Sequence, residues 1–308
     1  MPRPIIIDTD PGQDDAVAIL LALASPELDV LGITTVAGNV PLSLTTKNAL
    51  KVCELAGRSD TKVYQGAAKP LLRPLETAEY VHGASGLDGP DLPDPKMTIQ
   101  DQHAVDFIIE TCLSQDVTLC ALGPLTNLGI ALSRAPEIAS NIKEIVLMGG
   151  GLFEGGNVTP AAEFNIYVDP HAADIVFRSG VEIVVMPLDL THTTLTSRKR
   201  VEAFRSVGTK PAVATAELLD FFERYDIKKY GTDGGPLHDP NVIAYLLKPE
   251  LYEGRHIHLA VETSSELTMG MTVADWWGKM EKEPNCTYMR YVDDEGFFEL
   301  LTDRIATL

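Results

Sequence analysis

Pro4-Ile5-Ile6-Ile7-Asp8-Thr9-Asp10-Pro11-Gly12-Gln13-Asp14-Asp15 is the stretch whose reading decides the fold. A short apolar run closed by turn residues spells a buried strand, and Ala16-Val17-Ala18-Ile19-Leu20-Leu21-Ala22-Leu23-Ala24 spells the helix that follows. Four aspartates therefore crowd one strand-to-helix turn. In an open α/β sheet that turn lies on the carboxyl-terminal edge, where ligands bind. Pro11 keeps Asp10 extended and Gly12 permits a tight turn before the helix, so the loop is rigidly shaped.

As groups at a helix start, Asp14 and Asp15 would gain about 0.3–1 kcal/mol each from the dipole. If the acids converge instead, each pair about 4 Å apart repels by roughly 4 kcal/mol at an effective dielectric of about 20, more than capping returns. A cation resolves that conflict. All-oxygen ligation suits Ca²⁺ or Mg²⁺, and Ca²⁺ better tolerates an irregular, many-ligand shell. The loop is not an EF-hand, which would need glycine at Gln13 and glutamate at Ile19 if it opened at Asp8.

Working outward, strand-like runs alternate with helical ones through the first two-thirds of the chain. Strands are expected at Pro4–Asp8, Val30–Thr35, Lys62–Gln65, Val117–Ala121, Ile145–Met148 and Glu182–Met186. Helices are expected at Asp14–Ala24, Leu42–Leu55, His103–Leu113, Thr126–Leu132 and Pro170–Arg178. Such alternation implies βαβ crossovers and an open, mostly parallel Rossmann-like α/β sheet with flanking helices. Beyond Ser197 helices are expected at Arg198–Val207, Ala212–Lys229 and Pro240–Leu247, strands at His256–Val261 and Thr287–Val292, and a closing helix at Glu295–Ala306. The Pro- and Gly-rich stretch from Gly66 to Pro95 reads as a long loop of the kind that forms lids.

A chain of 308 residues can bury a large core, and we read residues 1–308 as a single large domain. The 25 Lys plus Arg against 44 Asp plus Glu give a net charge of −19, which argues against a nucleic-acid partner. Cys53, Cys112, Cys120 and Cys286 are widely spaced without a CxxC pair and read as reduced core thiols. No apolar stretch reaches spanning length and the N-terminus enters a strand directly, so a cytoplasmic protein without membrane contact is expected.

Further polar clusters stand where expected strands end: Val36-Ala37-Gly38-Asn39, Gly123-Pro124-Leu125-Thr126-Asn127 and Met148-Gly149-Gly150-Gly151. Each alone has a turn or capping explanation, with Thr126 or Asn127 as a helix cap. All of them, with the aspartate loop, map to one edge. Asn157 to Asn165 offers amides and a carboxylate able to bond several hydroxyls, ahead of a helix start at Asp169-Pro170. His238-Asp239-Pro240 likewise opens a helix, with Asp239 as its N-cap.

The order and spacing of these motifs, with Ala162-Glu163-Phe164-Asn165, resemble the nucleoside hydrolases across nearly the whole chain. The resemblance implies Ca²⁺ held by Asp10, Asp15, the backbone carbonyl of Leu122 and Asp239, with water and ribose diol oxygens completing the shell. It implies that Asp10 deprotonates the attacking water. Asp14 would grip the 2′-hydroxyl, Asn39, Asn157, Glu163 and Asn165 the 3′- and 5′-hydroxyls, and Met148 would pack near the sugar. His238, beside Asp239, would be the general acid; a carboxylate favours its imidazolium and a metal opposes it, which leaves the sign of its pKa shift open. His82, Tyr225, Asp226 and Tyr230 would belong to lids over the base, although each also reads as an ordinary loop residue. A homo-oligomer, tetramer or dimer, is implied as well.

Where Arg often precedes Gly in this family, Met269-Gly270 stands, a departure that bears on base specificity or packing. Trp276-Trp277 offers one residue for stacking and one for the core. Two other classes compete. A Mg²⁺-dependent phosphohydrolase of the haloacid dehalogenase type would share Asp8-x-Asp10, but expects Thr or Val where Gly12 stands. A non-catalytic nucleoside-binding protein would lack Asp10 or His238, and both are present.

Overall fold

The structure, a computed structural model, describes residues 2–231 and 234–308, without the side chains of Asp226, Lys229 and Tyr230. Strand β1 (Arg3–Thr9) turns Ile5 and Ile7 to one core and Ile6 to the other, because successive strand side chains point to opposite faces. Both faces of the strand are thus covered, and helices must lie on each side of the sheet. The chain continues through α1 (Gln13–Leu23), β2 (Leu28–Thr35), α2 (Leu42–Leu55), β3 (Val63–Gln65), α3 (Glu79–His82), α4 (Ala104–Ser114), β4 (Val117–Ala121) and α5 (Thr126–Arg134). Then come β5 (Ile142–Met148), α6 (Phe164–Val168), α7 (Pro170–Phe177), β6 (Ile183–Met186), α8 (Leu188–Thr191), α9 (Arg198–Val207), α10 (Lys210–Tyr230) and α11 (Pro240–Leu247). Strands β7 (Tyr252–Ile257), β8 (Leu259–Val261), β9 (Thr272–Ala274) and β10 (Cys286–Val292) precede α12 (Asp294–Ile305).

Eight strands form one sheet in the order β3-β2-β1-β4-β5-β6-β10-β7, parallel throughout except where β7 runs against β10. The chain proceeds from β1 outward to β3 and then returns to β4 on the other side of β1. That reversal opens a crevice above β1 and β4, the switch point where doubly wound sheets bind ligands. The fold is the expected single α/β domain with a mostly parallel sheet.

Local departures have local causes. The segment expected as one strand over His256–Val261 breaks at His258, because β7 closes the large sheet while β8 leaves it to pair with β9. Short elements β9, α3, α6 and α8 carry too few residues for a periodic signal, and α3 interrupts the stretch expected as pure loop. Neither Thr126 nor Asn127 caps α5: Leu125 holds that position without a side-chain bond, and both polar groups are spent on aspartates of other segments. All four cysteines are buried and unpaired. Burial pushes the thiols of Cys53, Cys112 and Cys286 up to about 12. No helix among the described residues is long and apolar enough to cross a membrane.

Phe297, fully buried on α12 with its ring 5.0 Å from that of Phe298, closes the core over α1 and α11. Phe297→Ala should cost about 3–5 kcal/mol of unfolding free energy, read as a lower urea midpoint at unchanged slope. A loss below about 1 kcal/mol would mean that this helix is not integral to the core.

Candidate active site

Strand β1 delivers the first two acids. Asp8 Oδ1 accepts from Thr34 Oγ1 at 2.5 Å and from Asn127 Nδ2 at 2.8 Å, tying β2 and α5 beneath the site. Asp10, just beyond the strand, accepts the Asn39 N–H on Oδ2 at 2.7 Å. Its carboxylate is wedged between two glycines from different turns. A Cβ at Gly38 would stand 2.1 Å from Oδ2, and one at Gly123 2.2 Å from Oδ1. Any side chain there would expel the acid, which explains the glycine in both motifs.

Asp14 and Asp15 lie in the first turn of α1, where Asp15 caps the Gly12 N–H at 2.9 Å and also accepts from Thr9 Oγ1 at 2.5 Å. Asn39 Nδ2 reaches both Asp15 Oδ2 and the Asp10 carbonyl at 3.2 Å. Asp239 is the N-cap of α11 but makes no side-chain cap bond, so its carboxylate is left to the cleft. Asp14, Asp15 and Asp239 each bring one oxygen to within 4.8 Å of the others. Asp10 stands outside that trio, yet its charge bears on Asp239.

All four acids are buried. Burial first, and mutual repulsion next, push Asp14 up to about 8 and hold Asp10 and Asp239 well above the usual carboxylate range. Asp15 is raised by burial too. Two oxygens, Asp10 Oδ1 and Asp14 Oδ1, are buried without a hydrogen-bond partner. No Lys or Arg is among the described residues lining the cleft. Orphaned oxygens and a trio of converging buried acids fit a hard divalent cation, whose charge would return them to the ionised form.

The cleft above holds about 640 Å³ of open space, mouth included. Asp14, Asn39, His82, Leu122, Met148, Asn157, Glu163, Asn165, His238 and Asp239 line it, so nearly every site residue expected from sequence is gathered here. Several are partly committed to one another. Asn165 Nδ2 donates to the carbonyls of Leu122 at 2.7 Å and Met148 at 3.2 Å, leaving its Oδ1 as the free end. Glu163 accepts from Gly150, Asn165 and Ile166 N–H groups, and burial pushes it up to about 7. Asn157 Oδ1 accepts the Phe164 N–H at 3.0 Å. The expected lid residues Asp226 and Tyr230 lie outside the described side chains.

A family model described as inosine-uridine preferring nucleoside hydrolase matches residues 5–299. The chain belongs to that family. A pyrimidine-specific ribonucleoside hydrolase of Escherichia coli is 49% identical over 308 residues, covering 99% of both chains. An uncharacterized protein of Schizosaccharomyces pombe is 54% identical over 307 residues, again at 99% of each. Among solved structures, the purine-preferring ribonucleoside hydrolase from Gardnerella vaginalis superposes with a TM-score of 0.93 at 34% identity, covering 99% of this chain and 98% of its own. The nucleoside hydrolase identity sets aside both the phosphohydrolase and the non-catalytic binder: the enzyme is a ribonucleoside N-ribohydrolase and its substrate a ribonucleoside.

The cleft of this nucleoside hydrolase is also bounded by residues that sequence patterns do not single out. Phe222 of α10, Tyr80 and Val81 of α3 and Phe164 of α6 line the cleft, yet each reads in sequence as a packing residue. Thr191, fully buried, pairs its hydroxyl with His238 Nδ1 at 2.7 Å. Trp276 packs edge-on against Phe153 and Tyr288 while Trp277 is 72% exposed, and neither lines the cleft. Met269 is absent from the lining as well; Gly270, at φ +77°, sits against the Tyr167 backbone.

Proposed function

We propose that this chain is a Ca²⁺-dependent ribonucleoside hydrolase with a preference for pyrimidine nucleosides. The cluster of Asp10, Asp14, Asp15 and Asp239 with its two orphaned oxygens carries the metal dependence. Asp10, Asp15, Asp239 and the Leu122 carbonyl would hold the ion, Asp14 standing close enough to share it. When bound, the cation supplies charge that eases deprotonation of a nearby water and seats a pair of vicinal hydroxyls. The 49% identity over the full length with a relative named as pyrimidine-specific supports the substrate class.

Asp10, held by the Asn39 N–H, removes the proton of the attacking water through the oxygen that has no other partner. Asp14, Asn39, Asn157, Glu163 and Asn165 orient the ribose hydroxyls, and Met148 packs beneath the ring. As the glycosidic bond stretches, the anomeric carbon gains positive charge, which a pocket rich in acids stabilises. His238 hydrogen-bonds the departing base as general acid, with His82 and Tyr225 around it. We further propose that residues 1–308 form one such domain, working in the cytoplasm as a homo-oligomer, tetramer or dimer.

The test is a panel of purine and pyrimidine ribonucleosides scored for free base and ribose, after chelation and after return of Ca²⁺ or Mg²⁺. Pyrimidines should lead, chelation should stop turnover, and Ca²⁺ should restore it better than Mg²⁺. Full activity in excess chelator would overturn the metal dependence.

A further inference from the structure

Gln13 is a fully buried amide in the first turn of α1, beside Asp14 and Asp15 and ahead of an apolar run. Its Nε2 donates to the carbonyls of His82 at 2.9 Å and Asp88 at 3.0 Å, while its Oε1 lies 2.7 Å from His82 Nδ1. Turning the amide over would set its oxygen against two carbonyl oxygens, so the orientation is dictated. An amide oxygen has only lone pairs. His82 Nδ1 must therefore carry the hydrogen, and in a neutral ring Nε2 is then bare. Burial pushes the His82 pKa down to about 3, so the ring is neutral. With Nδ1 engaged, Nε2 is the nitrogen His82 offers to the cleft it lines.

His238 is set the other way. Its Nδ1 is the one hydrogen-bond partner of the Thr191 hydroxyl among the described residues, at 2.7 Å. A buried hydroxyl with a single partner uses it as an acceptor, because an undonated O–H in the interior costs about 1–3 kcal/mol. Thr191 thus donates to Nδ1 of a neutral ring, whose hydrogen is then on Nε2. The two rings flank Phe222, their centroids 5.6 and 6.4 Å from its own.

We propose that Gln13 and Thr191 are specificity-setting positioning residues. By holding opposite tautomers they make the cleft present one acceptor, His82 Nε2, and one donor, His238 Nε2–H, which selects nucleobases carrying both an N–H and a lone pair. This rests on the ribonucleoside hydrolase reading. Uracil meets the requirement with N3–H and a carbonyl oxygen, and cytosine with its amino group and O2. A base stripped of every N–H leaves the His82 lone pair buried and unpaired. Neither positioning residue touches the substrate in this scheme; each acts through the imidazole it orients.

The test has two arms. In chain labelled with ¹⁵N-histidine, His82, assigned by loss of its signals in His82→Asn, should show a protonated Nδ1 and a bare Nε2 unchanged between about pH 5 and 8. A protonated Nε2 at His82 would overturn the proposal. In turnover, 3-methyluridine, whose base has no N–H, should fall below uridine in kcat/KM by at least about tenfold. In Gln13→Met the same ratio should shrink at least about threefold relative to the wild type, because the steric cost of the methyl group is common to both. An unchanged ratio in that variant would also overturn it. Failure of the functional reading looks different: no ribonucleoside is cleaved at all, and the inference falls with it.

Discussion

Asp10→Ala is expected to abolish ribonucleoside hydrolysis, with a loss of about 10⁴-fold or more. General-base catalysis alone contributes about 10²–10⁴-fold, and the same substitution removes carboxylate oxygens from the proposed cation site. The wedge of Gly38 and Gly123 makes the position irreplaceable, since no neighbouring acid can be carried into a slot shaped by two missing side chains. A second readout separates chemistry from folding. At a cation concentration of about 100 times its Kd the wild type should gain about 2.7 kcal/mol of stability, and the variant should gain far less. Relieving one buried acid of its neighbours should leave the metal-free variant folded. Retained turnover, or stoichiometric Ca²⁺ still bound by Asp10→Ala, would refute the assignment.

His238→Ala should keep the cation and slow cleavage of natural nucleosides by about 10²–10⁴-fold, the range of a positioned acid. The reasoning is chemical: a poor leaving base needs a hydrogen bond as negative charge grows on it, whereas an activated aryl riboside does not. The aryl riboside should therefore lose less than about tenfold. Equal losses for both substrates would show that His238 acts on the ribose or on Asp239 instead. Thr191→Val gives the intermediate case, because it leaves the imidazole in place but removes the group that orients it.

Much of the site was legible because its determinants are local. Asp10, Asp14 and Asp15 follow an apolar strand and precede an apolar helix, and that placement alone puts them on the ligand-binding edge. Asp239 before Pro240 reads as a helix start, and the structure has Asp239 as the N-cap of α11. Other assignments were invisible for equally physical reasons. Phe222 lies in a helix whose pattern is satisfied by packing, so nothing marks it as cleft lining. Gln13 carries no local signal, since its partners are the carbonyls of His82 and Asp88, about 70 residues further on. Thr126 or Asn127 reads as a cap because caps are the local use of such residues, while their partners in the fold are Asp169 and Asp8.

Apolar periodicity, turn residues and the run of acids were by themselves enough to determine the α/β class and the edge that bears the site, because each depends on neighbours in the chain. Only the tertiary structure decided which oxygens meet. Asp8 and Asn127 are 119 positions apart, and Asp14, Asp15 and Asp239 converge from two helices. It also decided that the Nδ1 atoms of His82 and His238 meet Gln13 and Thr191. Distances of a few ångströms between distant segments follow from packing the sheet and its helices together, and no local pattern encodes them.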